Sequence, residues 1–242
     1  MKKNRPTIIF EDDDLVILNK PANFLTIPDR FIAEKPSLVS FLKNKMEEVF
    51  IVHRLDKETS GVIIFAKNKA AHRSMSMQFE QRTVDKIYLA LVEGNLHKEE
   101  GEIKNAIATN MRDSGKMIIA KRGKPSLTLY KVIERFKNYT LVEANIKTGR
   151  THQVRVHFQS IGYPLAVDRL YGRKEAFFLS EIKLKKFRRG KDFEERPLMS
   201  RTSLHAKKIT FTHPSSLQRM TFEVELPKDF KAVLNQLRKW NV

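Results

Sequence analysis

The chain has 242 residues, of which 41% are hydrophobic and 16 are phenylalanine, so it can bury a substantial core and is not disordered by composition. It has no cysteine, which excludes disulfides, thiolate nucleophiles and cysteine metal sites. Lysine and arginine number 46 against 28 aspartates and glutamates, and the net charge of +18 favours a nucleic-acid partner over a surface that is basic only for solubility.

The N-terminus carries no recognisable targeting signal. Its basic residues are followed only by Ile8-Ile9-Phe10 before the acidic run at 11–14, which is too short and too acidic for a signal peptide. No apolar run approaches the roughly 20 residues that a membrane helix requires. We therefore expect a cytoplasmic protein with no membrane partner.

The first half of the chain is predicted to contain four strands and two helices. Ser37 and Asn68 are good N-caps for two helices, and Pro21 ends the second strand in a loop. The predicted elements, in order, are strands at 7–10 and 15–18, a helix at 37–48, a buried strand at 62–66, a helix at 69–82 and a strand at 86–92.

The second half is predicted to contain more strands than helices. Its elements, in order, are an exposed hairpin or flap at 109–124, strands at 127–135 and 140–147, a helix at 151–161, strands at 204–211 and 220–224, and a terminal helix that starts at 227–229. The inner face of the terminal helix is predicted to carry Phe230, Val233, Leu237 and Trp240. Because strands and helices do not alternate strictly, the sequence predicts an α+β fold rather than a parallel α/β fold.

The helix at 151–161 is one of two possible interpretations of its sequence. Alternation of Val154, Val156 and Phe158 would also fit a strand, but Thr151 is a good N-cap and Gly162 is a typical helix stop. A helix would place His152, Arg155 and Gln159 on one face, with Val154, Phe158 and Ile161 toward the core.

Residues 173–200 are predicted to form a basic insertion. Its run at 183–191 contains six lysines and arginines and a single aromatic, Phe187. A solvated loop and a nucleic-acid contact explain this run equally well.

A compact polar group lies between two apolar runs in the stretch from Ile51 to Lys67. Asp56 is expected in a loop there, with Arg54 two residues earlier and Gly61 at the start of the buried strand. By spacing alone, Asp56 is either a turn residue paired with its neighbour or a catalytic carboxylate fixed by a rigid core.

The run His53-Arg54-Leu55-Asp56-Lys57-Glu58-Thr59-Ser60-Gly61 resembles the signature of the RluA-type family of RNA pseudouridine synthases. Further matching blocks follow the family's order and span about residues 9 to 227. They are Asn19-Lys20-Pro21, Lys86-Ile87-Tyr88-Leu89-Ala90, Thr148-Gly149-Arg150-Thr151-His152-Gln153-Val154-Arg155-Val156-His157, Gly162-Tyr163-Pro164-Leu165, Asp168-Arg169-Leu170-Tyr171-Gly172, Leu204-His205-Ala206 and Thr212-His213-Pro214.

The resemblance implies a long, mixed, mostly antiparallel sheet with flanking helices, a central catalytic cleft, and isomerisation of uridine to pseudouridine without metal or cofactor. It implies one catalytic domain over 1–242, made of two sub-domains that share a sheet. Many relatives also carry a small N-terminal RNA-binding domain, which we expect to be absent here because the catalytic domain begins near residue 7. Asp56 falls on the essential aspartate, Tyr88 on the tyrosine that packs against the base, and Arg155 on the arginine that pairs with the carboxylate.

RNA is the expected partner, in the form of a transfer or ribosomal stem-loop, and no DNA partner is expected. Arg54 falls on a side chain that displaces the base, and His53 is also expected to brace the Asp56 loop. The full set of predicted RNA contacts is Arg54, His53, Arg150, His152, Lys121, Arg122, Lys185 and Arg188. One departure is Val167, where the family usually has glycine, which makes the local turn uncertain.

Two other functions remain as alternatives. One is a non-catalytic RNA-binding protein or chaperone, which retention of Asp56, Tyr88 and Arg155 argues against. The other is a metal-dependent or Asp-nucleophile hydrolase, but the histidines lack clustered carboxylates and metal-ligand spacing. A cleft built within one chain predicts a monomer.

Overall fold

The computed structural model describes residues 5–29, 31–32, 34–113, 115–187 and 194–240. They divide into two compact units. The first comprises the residues up to Tyr88 together with His205–Glu225, and the second comprises Leu89–Leu204 and the residues from Leu226 onward. The predicted α+β class with a mixed, mostly antiparallel sheet is confirmed.

The described residues form twelve strands, five α-helices and one 3-10 turn. They are β1 (Thr7–Glu11), β2 (Leu15–Lys20), α1 (Leu38–Lys43), β3 (Phe50–Ile51), β4 (Ser60–Ala66), α2 (Lys69–Glu80), β5 (Asp85–Glu93), β6 (Glu100–Ile103), β7 (Ile107–Thr109), β8 (Met117–Ile119), β9 (Thr128–Arg135), β10 (Tyr139–Ile146), α3 (Gln153–Ser160), α4 (Leu179–Lys183), a 3-10 turn (Leu184–Lys186), β11 (Leu204–Thr212), β12 (Arg219–Glu223) and α5 (Lys228–Trp240).

The first unit is organised around β4, every residue of which is buried. The strand order is β1-β2-β4-β11, with β12 beside β11 and β3 beside β4. The pairing of β4 with β11 is parallel, and those of β4 with β2 and β3 are antiparallel. Such continuous apolar runs are expected of strands covered on both faces.

Helix α2 closes one face of the first unit. Asn68 caps it as predicted, since its side chain accepts a hydrogen bond from the Ala71 amide at 2.8 Å. Ala71 and Met75 then pack against Val62 and Ile64 of β4 in one hydrophobic cluster. The helix thereby supports the strand that follows the Asp56 loop.

The second unit contains β10, β9 and β6 in antiparallel succession, with β5 beside β10. Its core receives the apolar face of α5, where Phe230, Val233 and Leu237 are fully buried, as the sequence predicted. No helix in the described ranges is both long and apolar enough to cross a bilayer.

Several predicted boundaries were wrong. Ser37 caps α1 as expected, by accepting from the Ser40 amide at 3.1 Å, but the helix ends at Lys43 rather than 48. Strand β6 lies between the predicted strand at 86–92 and the predicted flap at 109–124, where the sequence predicted no strand. The ends of the predicted insertion are not merely solvated, because Phe177 and Met199 are buried in the core of the second unit.

Candidate active site

Asp56 lies in the loop between β3 and β4, and the start of β4 after this loop requires a glycine at position 61. The Asp56 carbonyl accepts a hydrogen bond from the Thr59 amide at 3.1 Å, which closes the turn. Gly61 has φ +125, and a Cβ there would lie 2.2 Å from the Ala206 carbonyl oxygen of β11. Only glycine allows the loop to enter the sheet at this point.

The residues on either side of Asp56 are fixed by two side chains that sequence reasoning missed. The hydroxyl of Thr26 donates to the Leu55 carbonyl at 2.8 Å and accepts from the Leu55 amide at 3.3 Å. The ammonium of Lys20 donates to the Lys57 carbonyl at 2.9 Å. The carboxylate therefore projects from a backbone that is held before and after it.

Lys20 is a fully buried lysine. It also donates to the carbonyls of Pro21, at 3.0 Å, and Phe24, at 2.7 Å, so it joins the loop after β2 to the Asp56 loop. A buried ammonium is tolerated where its three donors meet acceptors in this way. The matching block Asn19-Lys20-Pro21 was the available signal for its importance, whereas Thr26 lies outside every block.

His53 braces the same loop as a neutral ring. It accepts a hydrogen bond from the Ile64 amide of β4 at 3.1 Å and stacks on Phe79 with ring centroids 4.8 Å apart. Burial and the neighbouring Lys86 charge lower the pKa of His53 to about 3. A neutral imidazole cannot supply a cationic phosphate contact at pH 7, and the RNA contact expected of His53 stays a prediction.

Tyr88 is buried in β5, only 8% exposed. Burial raises the pKa of its hydroxyl, and the negative charge of Asp56 raises that pKa further. The phenol is therefore protonated at neutral pH and lies within electrostatic reach of Asp56. Arg54, two residues from Asp56, is exposed to solvent.

Arg155 lies on α3 of the second unit, in the helix that the sequence favoured over a strand. The predicted N-cap was wrong: α3 begins at Gln153, and His152, in the left-handed conformation with φ 55, occupies the cap position. Arg155 is itself buried rather than set on a polar helix face, and Gln159 of the same predicted face is exposed.

The guanidinium of Arg155 makes a two-point ion pair with Asp168. Its Nε donates to Asp168 Oδ2 at 2.6 Å and its Nη2 to Oδ1 at 2.7 Å. Both side chains are buried, at 7% and 0% exposed. The expected pairing of Arg155 with Asp56 stays a prediction, while Asp168 is a partner that sequence reasoning did not assign.

Asp168 is held by its own turn. Its Oδ1 accepts from the amides of Leu170, at 2.9 Å, and Tyr171, at 3.1 Å, and its carbonyl accepts from the Gly172 amide at 2.9 Å. The turn forms although Val167 replaces the usual glycine, and the Val167 side chain is buried in the core. The departure at that position therefore leaves the local geometry intact.

The predicted flap is a hairpin of β7 and β8, with Lys121 and Arg122 exposed just after it. Arg150 is half-buried and directs Nε toward the Pro125 carbonyl at 3.4 Å. His152 shares a hydrogen bond with the Tyr171 hydroxyl at 2.9 Å. These four candidate RNA contacts all belong to the second unit.

Three lysines surround one aromatic ring near the basic insertion. The ammonium groups of Lys183, Lys186 and Lys239 lie 5.0, 5.5 and 5.3 Å from the centre of the Trp240 ring. Within the described ranges, none of the three forms a salt bridge with an acidic side chain. Lys185 belongs to the 3-10 turn between them, and Arg188 lies outside the described residues.

Comparison with known proteins decides the family. Residues 14–160, more than half of the chain, match the family described as RNA pseudouridylate synthase. The chain belongs to this family. The resemblance seen in the sequence is thereby confirmed, as is the prediction of an isomerase that converts uridine to pseudouridine in RNA.

Individual members of the RNA pseudouridylate synthase family match over most of the chain. The ribosomal large subunit pseudouridine synthase C of Haemophilus influenzae is 38% identical over 244 residues, covering 96% of this chain and 69% of that protein. The dual-specificity RNA pseudouridine synthase RluA of Vibrio parahaemolyticus is 35% identical over 227 residues, covering 89% and 83%. The chain spans between 61% and 83% of the length of such relatives.

A solved structure has the same fold. Human RNA pseudouridylate synthase domain containing 4 superimposes with a TM-score of 0.72 at 25% identity, over 96% of this chain and 92% of that one. In the described part of the chain, no three histidine, aspartate or glutamate side chains form a group that could hold a metal ion. The expectation that the reaction needs no metal or cofactor stays a prediction.

Proposed function

We propose that Asp56 is the catalytic carboxylate of an RNA uridine isomerase. The single observation that carries this role is the fixed backbone around Asp56, which Thr26 holds at Leu55 and Lys20 holds at Lys57. A lone turn aspartate would need neither the clamps of Thr26 and Lys20 nor a phenol in reach of its charge. Asp56 and Tyr88 belong to the same unit, and the charge of Asp56 contributes to the raised pKa of the Tyr88 hydroxyl, which supports a shared site.

The reaction conserves every atom of the nucleoside except for one exchanged proton. The bond between N1 of uracil and C1′ of ribose breaks, the ring turns, and C5 bonds to C1′. C5 then loses its proton, and N1 gains one. Asp56 can act as a nucleophile on the sugar or the ring, or as the base that begins an elimination. Tyr88 offers a flat face for the uracil and a hydroxyl that can move a proton.

Arg155 is proposed to keep the Asp56 carboxylate ionised and oriented. A guanidinium has five N–H donors, and Asp168 engages two of them, so the same group can hold a second carboxylate. The buried pair with Asp168 fixes the plane of Arg155 before substrate arrives. An opposite charge within about 4–6 Å favours the ionised form of a carboxyl group.

The substrate must present its uridine outside the helical stack. Extrusion of a base costs a few kcal/mol, and least in a loop. The exposed Arg54 is suited to occupy the vacated space or to hold a phosphate. The net charge of +18 supports docking through phosphates.

We infer that the RNA is a structured stem-loop of ribosomal or transfer RNA. The name of the Haemophilus influenzae relative specifies the large ribosomal subunit, and that of the Vibrio parahaemolyticus relative specifies dual specificity. Because such RNA is made and assembled in the bacterial cytoplasm, we infer the same location for this chain. A monomer, with neither DNA nor membrane as a partner, completes the proposal.

The test measures tritium release from transfer and ribosomal RNA labelled at C5 of uridine. We expect release by the wild type and none by Asp56→Asn. Asp85→Asn, a matched change at an aspartate paired with Arg219 on the surface, should behave as the wild type. Absence of release by the wild type from every RNA would reject the activity. Release by Asp56→Asn at the wild-type rate would reject the role of Asp56.

A further inference from the structure

The flap depends on other elements for its position. Its strands β7 and β8 form a separate two-stranded sheet, with Ile107 paired to Ile119 and Thr109 to Met117. Two strands alone are at best marginally stable in water. Ile107 is 1% exposed and packs in a small cluster with Val156 of α3 and Tyr171. The flap is therefore seated on the helix that carries Arg155.

Tyr171 makes polar contacts with the flap through its hydroxyl. The Met117 amide of β8 donates to Tyr171 Oη at 2.7 Å, and the same oxygen lies 2.9 Å from His152 Nδ1. A phenol can accept from one neighbour while it donates to another. Both bonds can thus be made at once, with the tyrosine proton directed to the histidine.

The rest of Tyr171 contacts the Arg155–Asp168 pair. The centre of its ring lies 5.0 Å from Cζ of Arg155. Its backbone amide donates to Asp168 Oδ1 at 3.1 Å, the oxygen that also accepts from Arg155 Nη2. The Tyr171 side chain is 3% exposed, so it has little room to move independently of these neighbours.

We propose that Tyr171 is a positioning residue that couples the flap to the orientation of Arg155. RNA phosphates drawn to Lys121 and Arg122 fix the flap, and the flap holds Tyr171 through the Met117 amide. Tyr171 in turn fixes one face of the Arg155 guanidinium. This inference rests on the proposed function, because it assigns the flap to the binding of the same RNA.

Two substitutions of Tyr171 test its contact with the flap separately from its contact with Arg155. Tyr171→Phe removes the bonds to Met117 and His152 but keeps the ring beside Arg155. We expect KM for structured RNA to rise about fivefold, the effect of the one lost hydrogen bond that reaches the flap at Met117, with kcat unchanged because the ring stays beside Arg155. The flap peptide should also exchange its amide hydrogens faster in a mass-spectrometric measurement on the free protein.

Tyr171→Leu also removes the ring, and kcat should then fall as well. The control is Tyr139→Phe, which deletes a hydroxyl that accepts from Lys174 at 3.0 Å in β10. It should change neither KM nor flap exchange.

Unchanged KM and flap exchange in Tyr171→Phe, beside an active wild type, would overturn the inference. A fall in kcat without any change in KM or flap exchange would overturn it too. An inactive wild type would instead reject the proposed function, and the exchange measurement would still test the contact.

Discussion

Replacement of Asp168 by asparagine tests the central ion pair of the second unit. Asparagine has nearly the same shape, and its oxygen can still accept from the amides of Leu170 and Tyr171, so the turn can be kept. Arg155, however, loses the opposite charge at both donors, 2.6 and 2.7 Å away, in a site where both side chains are buried. An amide group now faces the guanidinium on one side.

The expected loss follows from that burial. Removal of one partner of a buried pair costs about 3–5 kcal/mol, because the remaining charge stays desolvated and unpaired. A charge misplaced by about 1 Å in an active site costs on the order of 10²-fold in rate. Asp168→Asn should therefore lower the free energy of unfolding by about 3–5 kcal/mol and tritium release by about 10²-fold.

Urea unfolding and the tritium assay measure the two effects. The double variant Arg155→Met/Asp168→Leu should lose about 3 kcal/mol less free energy of unfolding than the two single variants lose in total. Glu134→Gln is the matched control, since Glu134 holds Arg238 in a similar two-point pair whose arginine is half exposed. It should cost less than about 1 kcal/mol. A loss below about 0.5 kcal/mol for Asp168→Asn would refute the reasoning.

Three further predictions concern other parts of the molecule. Gly61→Ala should prevent β4 from pairing with β11, because its Cβ meets the backbone of Ala206; a urea midpoint equal to that of the wild type would contradict this. Since the pKa of His53 is lowered to about 3 in the folded state, the unfolded state binds more protons below pH 6.5. Stability should fall as the pH decreases, by about 2–3 kcal/mol at pH 4.5, and His53→Gln should abolish most of this dependence. Replacement by alanine of the lysines around Trp240 should reduce the slope of log RNA affinity against log salt concentration by about two to three, one for each lost phosphate contact. An unchanged slope would show that these lysines are only solvated. These lysines are Lys183, Lys186 and Lys239.

Local chemistry made much of the fold predictable. Asn68 before a helical stripe and the unbroken apolar run of β4 indicated α2 and its supporting strand, and both formed. Helix ends were less certain, because they depend on tertiary contacts. The N-terminus of α3 is set by His152 in a left-handed conformation bonded to Tyr171, and no propensity scale would select histidine over Thr151 there.

The candidate site was predicted only in part. Asp56, Tyr88 and Arg155 lie in matching blocks, so their positions could be assigned from the resemblance. The partnership of Arg155 with Asp168 depends on how a turn folds back beside a helix, which spacing along the chain does not specify. The clamps from Lys20 and Thr26 were missed because a buried lysine and a lone threonine carry no periodic signal.

The first unit is built from two segments that are far apart in the sequence, and this affects how it can fold during synthesis. Its strand β4 pairs with β11, which the ribosome makes only after nearly all of the second unit has been synthesised. Until then, the nascent chain carries an apolar strand with part of one edge unpaired, and such edges promote aggregation. Early termination before Leu204 should therefore yield an insoluble product, and slow translation of the second unit should increase dependence on chaperones.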